Sequence, residues 1–202
     1  MNKFGGTSYA VTLSPVQQRE GEKFNRDAGL SDRVKIEARD MMTVNADNGP
    51  FDLVWSMESA EHIRDKKAML EHFYNLMSPG GHLLMATWCR REVPPKLARN
   101  ESVVLDKIYS AYHLPPMNDR ADYERLANAA GFQNVQTADW SDEVAPFWNE
   151  VIKSAFEIRN LRLLLATGME TIKGAWAMRY MRQGYRQDLI RYVIVRATKP
   201  AE

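Results

Sequence analysis

The 202-residue sequence predicts an open α/β sheet in which strands and helices alternate, followed by a mainly helical second half. Two observations support this fold class. Short segments rich in β-branched and aromatic residues alternate with segments whose apolar residues recur at helical spacing. Glycine, proline and serine separate these segments, as turns require. The length fits one domain, so we expect a single domain over residues 1–202.

The first half contains four predicted strands and two predicted helices. The first helix has Ser14 as N-cap, Pro15 at its first position and Gln17 completing a capping box. One strand, "FDLVWSM", is apolar enough to be buried on both faces. "SPGG" is predicted to be a turn. The strands are predicted at 8–13, 33–38, 51–57 and 82–88, and the helices at 14–29 and 65–77.

The second half is predicted to be mainly helical, with two further strands. Helices are predicted at 102–114, 119–132, 143–165 and 169–185, and strands at 134–140 and 189–200. The overall composition, 45% hydrophobic and 26% charged, is ordinary for a globular protein. The net charge of +1 gives no electrostatic reason to expect nucleic-acid binding.

Several classes of site are excluded by their missing motifs. Cys89 is the single cysteine, so no internal disulfide and no cysteine metal cluster can form. The sequence lacks G-x-S-x-G, the P-loop and HExxH, and we expect no metal site. It also lacks G-x-G, which argues against a dinucleotide-dependent dehydrogenase.

Polar residues follow three of the predicted strands, where open α/β sheets bind their ligands. Thr12, Leu13 and Ser14 with Gln17 form the first group, and they either cap the helix or bind ribose hydroxyls. Asp40, followed by Met41, forms the second. Asp40 is either a turn residue or an acceptor for an exocyclic amine such as adenine N6.

The third group follows the strand "FDLVWSM" and contains Glu58, Glu61 and His62. One interpretation is a solvated loop. The other is catalysis, because a histidine oriented by a carboxylate is a suitable general base near neutral pH. The position at the end of a buried strand favours catalysis, and both interpretations remain open.

Segments along nearly the whole chain resemble one enzyme family. "VTLSPVQ", "FDLVWSMESAEH", "SPGGHLLMATWCRRE", "ADWSDEVAPFWNEVIKSA" and "TIKGAWAMRYMRQGYRQDLIRYVIVRATKP" resemble gamma-tocopherol C-methyltransferases. These are class I methyltransferases with a Rossmann-like sheet, S-adenosyl-L-methionine as cofactor and a lipophilic phenol or quinol as substrate. The resemblance implies a plastid location, or a cytoplasmic one in a bacterium. It leaves open methylation of another phytylquinol or of an amine or alkaloid nitrogen.

The resemblance also implies roles for the residues at the strand ends. Thr12 and Gln17 would face the cofactor ribose, and Asp40 with Met41 would hold adenine. The remaining residues would lie near the reacting methyl group: Ser56 and Met57 beside the methionine part, and Glu61 and His62 beside the methyl donor.

One family feature is not found in this sequence. The glycine-rich loop that would hold the methionine part of the cofactor, with its strand and helix, is missing, so we expect an incomplete sheet. The sequence therefore predicts weak cofactor binding, and an inactive fragment that binds lipid or partners is an alternative.

The helical region at about 92–185 is predicted to include a substrate lid. Its apolar residues alternate with basic ones, so peripheral membrane contact is a second possibility, and ordinary core packing is a third. The lid residues are Phe147, Trp148, Leu163, Leu164, Leu165 and Trp176.

Overall fold

The computed structural model describes residues 5–156 and 169–202, with side chains described for 5–151 and 177–202. The chain divides into two compact units, unit 1 (Met1–Phe51) and unit 2 (Asp52–Glu202). The predicted lid residues Leu163, Leu164 and Leu165 lie outside the described residues, as does the side chain of Trp176. In the described part of the chain, no helix has the length and apolar character needed to cross a membrane.

Unit 1 contains a parallel two-stranded sheet and one helix. Strand β1 (Ser8–Thr12) pairs with β2 (Val34–Ala38), and α1 (Pro15–Asp27) connects them. Helix α1 begins after the predicted N-cap, because the Ser14 hydroxyl accepts a hydrogen bond from the Gln17 amide at 3.2 Å. Gly21 gives α1 a surface without a side chain, and Ile36 of β2 packs closely there.

Unit 2 is built on a four-stranded sheet with the order β3-β4-β6-β5. β6 is antiparallel to both neighbours, and Trp88 of β4 lies opposite Tyr192 of β6. The strands are β3 (Phe51–Met57), which begins at the unit boundary, β4 (Met77–Arg90), β5 (Gln133–Asp139) and β6 (Ile190–Thr198).

Five helices in the described part of unit 2 accompany this sheet. The last helix packs against the second and the fourth of them. Together with β4 and β6 they enclose a core that includes Leu105, Ile108 and Met181, each at most 2% exposed. The helices are α2 (Lys66–Leu76), α3 (Arg99–Tyr112), α4 (Arg120–Ala129), α5 (Ser141–Phe156) and α6 (Met169–Arg186).

Two local predictions are wrong. β3 is not buried on both faces, because it lies at the end of the sheet order and leaves Leu53, Trp55 and Met57 at least half exposed. The predicted "SPGG" turn lies within β4, since the Gly80 amide donates to the Lys199 carbonyl at 3.0 Å and keeps this segment beside the end of β6.

The described strands form two sheets rather than one continuous sheet. β1 and β2 form the first, and β3 begins the second. The expected incomplete sheet stays a prediction. The alternation of strands and helices is otherwise as predicted, with boundaries within a few residues in the described part.

Candidate functional site

The carboxyl end of β3 is held in an unusual backbone conformation. Glu58 has φ of +47°, in the left-handed region that residues other than glycine rarely adopt. Its amide donates a hydrogen bond to the Ala86 carbonyl of β4 at 2.8 Å, which fixes this turn against the sheet. The Glu58 side chain remains exposed. Residues held in such conformations concentrate at functional sites, so this turn is a candidate site.

Ser56 and Met57 stand immediately before this turn. Ser56 is 5% exposed, and its hydroxyl shares a 2.8 Å hydrogen bond with the hydroxyl of Ser59. Met57 points to the other face and is exposed. Their predicted place beside the methionine part of a cofactor stays a prediction.

Glu61 is an almost fully buried carboxyl group, 1% exposed. It lies in a short helical turn, Ala60–His62, and its Oε2 accepts a hydrogen bond from the Thr87 hydroxyl at 2.8 Å. Burial raises the pKa of Glu61 from 4.5 to about 7, because its own backbone amide and the Thr87 hydroxyl only partly offset the loss of water around the charged form. Glu61 can therefore gain or release a proton near neutral pH.

Lys66 is a buried lysine that the sequence did not single out. Its ammonium group donates hydrogen bonds to the backbone carbonyls of Glu61, at 3.1 Å, and Ile63. Burial lowers the pKa of Lys66 to about 8, although the Glu61 charge opposes this effect. A lysine at the start of a helix is normally exposed, so nothing in the sequence predicts that Lys66 is buried.

His62 lies beside this buried pair with its side chain exposed. Partial burial, and then the charge of Lys66, lower the pKa of its imidazole, which favours the neutral form that accepts protons. The structure does not bring Glu61 to His62, since the Glu61 carboxylate bonds to Thr87. Among the described residues, no carboxylate forms a hydrogen bond or ion pair with His62.

Tyr192 of β6 is a second residue that the sequence did not reveal. Burial raises its pKa to about 12, and the charge of the nearby Glu58 carboxylate adds to the rise. Tyrosines are common in strands, and only the pairing of β6 with β4 brings this one to the end of β3. The candidate site in unit 2 therefore combines Glu58, Glu61, His62, Lys66 and Tyr192.

Unit 1 presents its own polar groups at the carboxyl ends of two parallel strands. The Thr12 hydroxyl donates to the Gln17 side-chain carbonyl at 2.5 Å. Ser14 caps α1, but the capping box is not completed, because the Gln17 side chain bonds to Thr12 instead. The side-chain Nε2 of Gln17 has no hydrogen-bond partner among the described residues, and Leu13 is 80% exposed.

Asp40 lies at the same edge of this sheet, two residues after β2. One carboxylate oxygen accepts from the Met42 amide at 2.9 Å and caps the short helical turn Met41–Thr43. The other oxygen has no partner in the described chain. The capping role and the ligand-binding role proposed for Asp40 are thus compatible, as they are for Ser14 and its neighbours.

Comparison with known proteins places this arrangement in a family. The family described as "Methyltransferase domain" matches residues 4–137. The chain is 40% identical, over 98% of its length, to a rice (Oryza sativa subsp. japonica) protein named "Probable tocopherol O-methyltransferase, chloroplastic". It is 36% identical, again over 98%, to the Arabidopsis thaliana protein "Tocopherol O-methyltransferase, chloroplastic". The chain spans 56% and 58% of the lengths of these two relatives.

A solved structure shows the same fold. A geranyl diphosphate C-methyltransferase from Streptomyces coelicolor, in complex with S-adenosyl-L-homocysteine, superimposes with a TM-score of 0.76 at 17% identity. The match covers 98% of this chain and 64% of that one. The predicted Rossmann-like class I methyltransferase fold is thereby confirmed. This chain belongs to the methyltransferase domain family, whose members depend on S-adenosylmethionine.

Proposed function

We propose that this chain is part of an S-adenosylmethionine-dependent methyltransferase that methylates the ring of a tocopherol-type phenol. The identity of 40% to the rice relative over 98% of the chain carries this proposal, because it extends over both units. The closest alternatives in chemistry are another phytylquinol and an amine nitrogen. The names of the two relatives also support a chloroplast location.

The donor groups of unit 1 fit the adenosine part of the cofactor. The side-chain Nε2 of Gln17 can donate to a ribose hydroxyl beside Thr12. The second Asp40 oxygen can accept from the adenine amine, with Met41 next to it. When bound, S-adenosylmethionine supplies an electrophilic methyl group on its sulfonium. No G-x-G loop occurs in the sequence to hold the methionine part, so we expect a dissociation constant weaker than micromolar.

The residues of unit 2 fit the proton transfer that ring methylation needs. A phenol that loses its proton becomes electron-rich at the neighbouring ring carbon, which then attacks the methyl group. His62 is exposed and mainly neutral at pH 7, so it can accept that proton. The buried Glu61 and Lys66 hold the turn beside it, and the Glu58 carboxylate faces the site from the end of β3.

A product assay tests the proposed reaction. The protein is incubated with labelled S-adenosylmethionine and one of three acceptors: a chromanol, a phytyl hydroquinone or an alkaloid amine. We expect labelled product with the chromanol, and NMR of that product then assigns the methyl group to carbon or to oxygen. Labelling of the amine alone would overturn the proposed substrate class.

His62→Ala tests the proposed base. We expect turnover to fall about 100-fold or more, in the range typical of a lost general base, while calorimetry shows unchanged cofactor binding. His82→Ala is the matched control, since His82 is exposed on β4, four residues before the Ala86 carbonyl that holds the Glu58 amide. Full turnover in the His62 variant would exclude it as the base.

A further inference from the structure

Four aromatic side chains of unit 2 contact one another around Trp148. The Trp148 ring lies 5.7 Å from Trp88, 6.2 Å from Tyr112 and 6.5 Å from Tyr185, measured between ring centroids. Trp88 and Tyr112 also meet edge to face at 5.6 Å. We call these four residues the aromatic cage. They come from β4, α3, α5 and α6, so tertiary packing alone assembles them.

Every member of the aromatic cage carries a buried polar atom without a hydrogen-bond partner among the described residues. These atoms are the indole nitrogens of Trp88 and Trp148 and the hydroxyls of Tyr112 and Tyr185. Trp88 and Trp148 are only 8% and 6% exposed. Folded proteins rarely leave buried donors unpaired, because desolvation without a hydrogen bond costs free energy. Four such atoms in one cluster indicate a ligand that pairs with them.

The aromatic cage borders the candidate site. Trp88 lies opposite Tyr192 in the β4–β6 ladder. It is two residues after Ala86, whose carbonyl accepts from the Glu58 amide. Burial raises the pKa of Tyr185; the Trp148 N–H opposes this rise without reaching hydrogen-bond geometry, and the charge of the nearby Glu58 adds to it. A ligand held by the aromatic cage would therefore lie next to the turn that follows β3.

We propose that the aromatic cage binds the hydroxylated ring of the methyl acceptor and that the Trp88 and Trp148 N–H groups donate to its oxygen. This inference rests on the proposed function and names the residues that select its substrate class. The aromatic side chains contact the ring edge to face, as aromatic pairs prefer. The two tyrosine hydroxyls complete the polar contacts.

The chemistry of the unpaired atoms favours an oxygen over an amine. An indole N–H is a donor only, and a protonated amine is also a donor only, so the two cannot pair. A phenol oxygen accepts hydrogen bonds and satisfies them. Aromatic clusters also attract cations through their ring faces, but that attraction leaves both indole N–H groups unpaired.

A binding experiment tests the aromatic cage without requiring methyl transfer. Calorimetry measures three probes with the 202-residue protein: a chromanol without its phytyl tail, the same ring without the hydroxyl, and the same ring with an aminomethyl group. We expect the chromanol to bind about tenfold more tightly than the ring without the hydroxyl. Trp148→Phe and Trp88→Phe should reduce this preference to about threefold or less.

Trp140→Phe is the matched control, because it makes the same substitution at a tryptophan that is 49% exposed and outside the aromatic cage. We expect it to keep the wild-type preference. Tyr185→Phe and Tyr112→Phe give a second measurement, since each removes one unpaired hydroxyl. Each should leave the unfolding temperature without ligand unchanged or raised, while lowering chromanol affinity severalfold. A purely structural role would instead lower that temperature.

Three results with the wild type would overturn the inference: no chromanol binding, equal binding of the two rings, or tightest binding of the aminomethyl probe. An unchanged preference in both folded tryptophan variants would do so as well. Ring discrimination by the aromatic cage together with labelling of the amine alone in the methyl-transfer assay would defeat the proposed function alone. Labelled product with an unchanged preference in the variants would defeat this inference alone.

Discussion

Each of the two units begins with a strand that is followed by polar residues and then by a helix. The two units differ in how many apolar side chains they bury. In unit 1, Val44 is the one buried apolar side chain among the described residues, while Phe24 is 68% exposed. In unit 2, a continuous core includes Leu105, Ile108 and Met181. A pattern that predicts strands and helices therefore does not predict how much core each region has.

The candidate sites differ in the same way. In unit 1, the hydrogen-bond partners of the site residues Thr12, Ser14 and Asp40 lie at most five positions away in the sequence. In unit 2, Glu61 bonds to Thr87, and Tyr192 lies near Glu58. Unit 1 thus orders its site through local turns and caps, and unit 2 through its tertiary packing.

Truncation of a core side chain should have the largest effect on stability. Leu105→Ala in unit 2 should lower the free energy of unfolding by about 3 kcal/mol, since it removes a 2%-exposed side chain and leaves a cavity. Ile36→Ala in unit 1 should cost about 1 kcal/mol, because Ile36 is only partly buried. Urea unfolding followed by circular dichroism measures both. Equal losses of unfolding free energy would show that the core of unit 1 contributes as much to stability as that of unit 2.

The pH dependence of stability comes next in size. The pKa of Glu61 rises on folding from 4.5 to about 7, so the folded protein binds more protons than the unfolded chain between these values. Stability should therefore fall as pH rises from 4.5 to 7, by about 3 kcal/mol at most. Glu61→Gln should remove this slope. Urea unfolding at several pH values measures it.

Lys66 should change the stability with pH in the opposite direction to Glu61. Its pKa falls on folding from 10.5 to about 8, so the folded protein binds fewer protons than the unfolded chain in that range. Stability should rise again between pH 8 and 10.5 in the wild type. The wild type should then be least stable near pH 7 to 8. A profile that rises steadily from pH 4.5 to 7 would contradict the burial of Glu61.

The smallest expected effect is on the helix cap of unit 1. Ser14→Ala should cost about 1 kcal/mol, because the Gln17 amide loses its acceptor at the start of α1. Hydrogen exchange of the α1 amides measures the local loss. Ser31→Ala, in an exposed turn, is the control and should change little. Equal exchange in both variants would show that α1 does not depend on its cap.

The sequence predicted most elements of the fold because local signals mark them. Ser14, Pro15 and Gly29 gave the start and end of α1, and alternation gave β2. It failed at β3, whose apolar residues predicted two buried faces. Burial depends on what covers a face, and the position of β3 at the end of the sheet order cannot be read from its own residues.

The candidate site was predictable where its residues are neighbours in sequence. Glu58, Glu61 and His62 follow one strand, so their position was visible. Lys66, Tyr192 and the aromatic cage were not predicted, because burial and strand pairing give them their properties. The sequence also did not predict that the Glu61 carboxylate bonds to Thr87 rather than to His62. Adjacent residues in a helical turn point in different directions, so neighbours in sequence need not form a hydrogen bond.

The exposed row on β3 has a consequence for handling the protein. Leu53, Trp55 and Met57 stand on one face of a strand at the end of its sheet, and such a strand can pair with a copy of itself. We therefore expect light scattering to rise with protein concentration and to fall in mild detergent. Affinities for apolar chromanols are best measured below the protein concentration at which scattering begins. Self-associated protein would bind these ligands nonspecifically.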